Sequence, residues 1–93
     1  MASFTVRIEL RGMPSRSDYQ SLHAAMVANG FRQTVEINGN MYHLPHAEYD
    51  FTRDMSAHQV TELVKPIVAP IWQNYLLLVT GASERAGFLV PVT

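Results

Sequence analysis

Residues Phe4 to Arg11 alternate strictly, with Phe4, Val6, Ile8 and Leu10 on one side and Thr5, Arg7, Glu9 and Arg11 on the other. A period of two is that of a half-buried strand. Gly12 and Pro14 then break the strand. Ser15 or Ser17 can cap a helix in which Tyr19, Leu22, His23, Met26 and Val27 recur at helical spacing, before Asn29-Gly30 stops it. Arg32 to Ile37 predicts a second strand, Asn38-Gly39 a type I′ hairpin turn, and Asn40 to about Phe51 a third strand that Pro45 must interrupt or bulge. Ser56 followed by Gln59 is a capping-box pattern that opens a helix with Val60, Leu63, Val64, Ile67 and Val68 as its buried stripe. Pro66 either ends this helix near Lys65 or kinks it. Tyr75 to Thr80 predicts a fourth strand, apolar on both faces, and Phe88 to Val92 a short fifth.

The order strand, helix, hairpin, helix, strand is that of an α+β, ferredoxin-like βαββαβ sandwich, with two helices on one face of an antiparallel sheet. At 93 residues the chain suffices for a single domain spanning residues 1–93. Leu76 to Val79 would leave leucine on a sheet edge, and apolar edges invite pairing. Either a homodimer forms through this strand, or the residues after Gly81 cover it.

Charge and composition narrow the classes of function. Seven Lys and Arg stand against eight Asp and Glu, so no overall positive field gathers nucleic acid, and DNA is not implied. The absence of cysteine excludes disulfides, thiolate catalysis and cysteine-based metal sites. No apolar run approaches the length of a membrane span, and the start lacks the pattern of a secretory signal, so the expectation is a cytoplasmic protein.

The candidate chemistry gathers between Asn38 and Phe51. With a two-residue turn, Ile37 pairs with Asn40, Glu36 with Met41, Val35 with Tyr42 and Thr34 with His43. His43 then lies on the open face with Glu36 in diagonal reach. Its plainer reading is a solvated strand histidine, and its chemical reading is a general acid or base. His46 follows Pro45, with Glu48 and Asp50 at alternating positions beyond it. These three could share a face, but their spacing matches no zinc or calcium motif, and neither metal nor cofactor is implied. Tyr42, Tyr49 and Phe51 read as core more readily than as stacking platforms for bases, and His23 as a packed or boundary histidine. Arg7 and Arg11 flank Glu9, and Arg32 and Arg53 could join them in a basic patch for phosphates, although mixed charge of this kind is usually a solvated face. Phosphate loops, Gly-x-Ser-x-Gly and His-Glu-x-x-His are absent.

The helix Tyr19-x-x-Leu22-x-x-x-Met26, the Gly30-Phe31 stop, the segment Met41-Tyr42-His43-Leu44-Pro45-x-Ala47-Glu48-Tyr49 and the start Ser56-Ala57-x-Gln59 together resemble the GhoS-like antitoxins of type V toxin–antitoxin systems. The resemblance implies a ferredoxin-like fold similar to the CRISPR-associated small nucleases, and an endoribonuclease acting on a toxin messenger RNA, hence single-stranded RNA. It transfers no catalytic residue. The nominations from the residues themselves are His43, His46 and Asp50 for chemistry, with Arg7 and Arg11 for RNA phosphate. The competing expectation is a non-catalytic dimeric module that binds protein through the open face or the Leu76–Val79 edge.

Overall fold

The computed structural model describes residues 2–92. Its elements run β1 (Ala2–Leu10), α1 (Arg16–Ala28), β2 (Thr34–Ile37), β3 (Asn40–His43), β4 (Glu48–Arg53), α2 (Ala57–Val68), β5 (Tyr75–Ala82) and β6 (Val90–Pro91). They form an α+β fold with two antiparallel sheets, ordered β4-β1-β5 and β2-β3-β6. The alternation read in the first strand is realised: Phe4, Val6, Ile8 and Leu10 are buried against Leu22 and Met26 of α1 and Val60, Val64 and Val68 of α2. Both helices therefore cover the same face of the β4-β1-β5 sheet. Phe31 and Phe51 stack in this core with ring centroids 3.9 Å apart.

Both helices begin as their caps dictate. Ser15 closes a capping box with Asp18, and Ser56 closes one with Gln59. Helix α2 passes through Pro66 to Val68, and the Ala69 N–H still donates to the Lys65 carbonyl. The hairpin register is the expected one, with Thr34 opposite His43 and Ile37 opposite Asn40. Asn38 and Gly39 both take positive φ, as a type I′ turn demands.

The stretch expected as one third strand is two strands in different sheets. After His43, Pro45 to Glu48 form a tight turn closed by the Glu48 N–H donating to the Pro45 carbonyl (3.1 Å). Ala47 occupies its third position at φ 59°, in the left-handed region that a type II turn needs and glycine ordinarily fills. The Ile8 N–H donates to the Ala47 carbonyl (3.1 Å), which fixes this turn to β1. Beyond it, β4 joins β1, and the two sheets meet through reciprocal backbone hydrogen bonds between Arg32 and Asp50 (2.7 and 2.9 Å). The C-terminal segment returns as expected, pairing Val90 with His43 and Pro91 with Tyr42.

Candidate active site

The tight turn decides where the nominated residues go. On β4, Tyr49 and Phe51 point into the core, while Glu48 and Asp50 share the opposite face, opposite Arg7 and Thr5 of β1. His46, at the corner of the turn, leaves that face for the helix side, where its ring packs on Tyr19 (centroids 4.5 Å) and meets His23 edge-on (5.3 Å, interplanar angle 90°). His46, Glu48 and Asp50 thus do not converge. Among the described residues no group of three or more His, Asp or Glu side chains could hold a metal ion.

The cleft containing the two histidines has a volume of about 350 Å³ and is lined by Pro14, Ser15, Arg16, Tyr19, Gln20, His23 and His46. Tyr19 and His23 are one turn apart on α1, and the Tyr19 hydroxyl accepts from the Leu10 N–H (3.1 Å), which anchors the cleft wall to β1. Beneath His23, the buried Tyr49 hydroxyl lies 2.5 Å from its Nδ1. Burial, then the proximity of Tyr19, raises the Tyr49 phenol far above its ordinary range, so it keeps its proton. Burial, and secondarily the neighbouring His46, pushes the His23 imidazole below its usual value. Near neutral pH the phenol therefore donates to a neutral Nδ1, and His23 carries its own proton on Nε2. The cleft thus combines an imidazole of fixed tautomer, an exposed second imidazole and the exposed Arg16 in the first turn of α1, where the helix dipole also favours anions.

The other nominated residues are elsewhere. His43 is exposed on β3, across from Thr34, and no hydrogen bond ties it to Glu36 among the described residues. Arg7 lines a groove on the open sheet face with Glu9, Leu76, Leu77 and Leu78. Arg11 pairs with Glu9 at 3.2 Å, and its carbonyl accepts from the Trp72 indole N–H at 2.6 Å. Asp50, only 5 % exposed, accepts from Arg85 at 2.6 Å and from Arg32 at 3.4 Å. Both carboxylate oxygens are engaged; Arg85 reaches Asp50 through Nη1, and its buried Nε and Nη2 have no hydrogen-bond partner among the described residues. This ion cluster fastens the loop between β5 and β6 over the open face.

The part-buried position of His23 agrees with its expectation as a packed or boundary histidine, but its grouping with His46 was missed, and Arg85 escaped the sequence reading altogether. His23 sits in an apolar helix stripe, and its only signal was a Tyr19-x-x-x-His23 spacing that puts both rings on one side of the helix. Arg85 is in a Gly- and Ser-containing loop with no periodicity to mark it. In comparisons with known proteins, neither a family model, a curated protein nor a solved structure matches the chain.

Proposed function

We propose that this protein is an endoribonuclease directed at single-stranded RNA, of the kind represented by GhoS-like antitoxins, and that its chemistry is carried out in the His23–His46 cleft. The observation that carries this reading is the pair of imidazoles meeting edge-on at 5.3 Å, one of them hydrogen-bonded at Nδ1 to a buried phenol. We further read the fold as ferredoxin-like: the order β4-β1-β5, with the Arg32–Asp50 bridge bringing the β2 hairpin beside β4, supports that arrangement.

The chemistry follows from the available nitrogens. His46 is free to accept the proton of a ribose 2′-hydroxyl. The 2′-oxygen then forms a bond to the adjacent phosphorus, and the bond from phosphorus to the 5′-oxygen breaks, with that oxygen taking a proton from solvent. The products are a 2′,3′-cyclic phosphate and a 5′-hydroxyl. His23 cannot be the base while Nδ1 accepts from Tyr49, so its Nε2–H donates to the phosphate oxygen on which charge develops. Arg16, exposed beside the cleft, holds the same phosphate. Asp50 acts structurally in this reading.

The test is incubation of the purified protein with single-stranded RNA, alongside the same oligonucleotide bearing 2′-deoxyribose throughout. The expected result is cleavage of the RNA to fragments ending in cyclic phosphate, and no cleavage of the deoxy strand. Cleavage of both, or of neither, contradicts the mechanism.

A further inference from the structure

Strand β5 is where the core runs out. On the helix-covered face, the β1 residues Phe4, Val6, Ile8 and Leu10 are buried, whereas Tyr75, Leu77 and Val79 of β5 remain partly exposed. On the open face, Leu76 and Leu78 are 54 % and 61 % exposed. The C-terminal segment, one of the two covers expected for this strand, seats Arg85 on Asp50 and pairs β6 with β3, and it leaves both leucines uncovered. Among the described residues β5 hydrogen-bonds to β1 alone, so one edge of an eight-residue strand is unpaired. That strand holds no charged residue and no proline, the features with which edges ordinarily repel another strand.

We infer that this edge is the interface of a homodimer, formed by antiparallel pairing of β5 with β5 of a second copy. The strand that fits must offer apolar side chains on both faces, because β5 is deficient in burial on both. β5 itself is such a strand: Leu76 and Leu78 lie on the open side and Tyr75, Leu77 and Val79 on the helix side.

The pleat fixes the pairings that keep faces matched. With Leu77 opposite its own copy, Leu76 meets Leu78 of the partner subunit on the open face, and Tyr75 meets Val79 of the partner subunit on the helix face. The neighbouring strand keeps like charges out of the same row in this arrangement. Glu9 stands beside Leu76 and Arg7 beside Leu78, so each row across the joined sheet reads Glu, Leu, Leu, Arg, with one charge of each sign. A continuous six-stranded sheet results, with the four helices of the two copies on one side and the leucine rows on the other.

Light scattering on the purified chain at micromolar concentration tests the interface. The wild-type protein is expected at twice the chain mass. The double variant L76K/L78K is expected at half the wild-type mass with an unchanged circular dichroism spectrum, since both side chains already face solvent. Val27→Lys, an equally exposed apolar position on α1, is expected to stay dimeric. A monomeric wild type leaves the edge to another partner and overturns the proposal. So does a dimer that survives in L76K/L78K, or one that is lost equally in Val27→Lys.

Discussion

Two polar clusters lie on opposite sides of β4, and their difference separates stability from chemistry. On the open face, Asp50 is buried with both oxygens bonded to arginines. On the helix face, His23 and His46 border an open cleft, and among the described residues the one side-chain hydrogen bond to His23 comes from a phenol that keeps its proton. A buried carboxylate with both oxygens bonded is already engaged, and removing one partner exposes the cost of burying the other. The two imidazoles at the cleft, His23 part-buried and His46 exposed, keep ring nitrogens that a substrate can reach. Ionic groups thus fasten the C-terminal loop, while the two imidazole rings line the cleft to which the proposed chemistry is assigned.

The largest expected effect breaks the first cluster. Asp50→Ala leaves the part-buried Arg85 without its carboxylate and should cost about 3 kcal/mol in urea unfolding, the low end for loss of one member of a buried ion pair because Arg85 keeps some solvent access. A loss below about 1 kcal/mol, the worth of an exposed pair, would mean that the cluster does not fasten the loop. Next is Tyr49→Phe, which removes the hydroxyl beneath His23. It should cost about 1 kcal/mol and release His23 into a mixture of tautomers, visible in nitrogen NMR shifts. Retention of the single Nε2–H tautomer would show that the phenol does not set it. The smallest effect is the pH dependence. The folded-state value of His23 is lowered, so the unfolded chain binds a proton first, and stability falls as pH drops through the ordinary histidine value of 6.5. Urea midpoints should therefore decline between about pH 7.5 and about pH 5.5, less steeply in His23→Gln; equal slopes would remove His23 as a source of the decline.

Local rules made much of the fold legible. Strict alternation identified β1, the Asn38-Gly39 turn fixed the β2–β3 register, and Ser56 with Gln59 marked the start of α2. Each depends on residues within a few positions of one another. The candidate site depends on what propensity does not encode. His46 reaches the helix side because Ala47 adopts a left-handed conformation that alanine seldom takes, a choice stabilised by its carbonyl bond to Ile8. Asp50 is enclosed by Arg85, thirty-five positions away in sequence. An alternating strand pattern therefore grouped His46 with Glu48 and Asp50, whereas the turn sent it to His23.

His43 and His46 were equivalent candidates in the sequence, and the fold places one on an exposed hairpin and the other in the cleft. Single-turnover cleavage of single-stranded RNA by His46→Ala and His43→Ala, with folding verified for each, separates them most directly. The expected outcome is a loss of about a hundredfold or more in His46→Ala, the range for removal of a general base, with the wild-type rate retained in His43→Ala. Equal rates in the two variants, or a loss confined to His43→Ala, would contradict the assignment of the chemistry to the His23–His46 cleft.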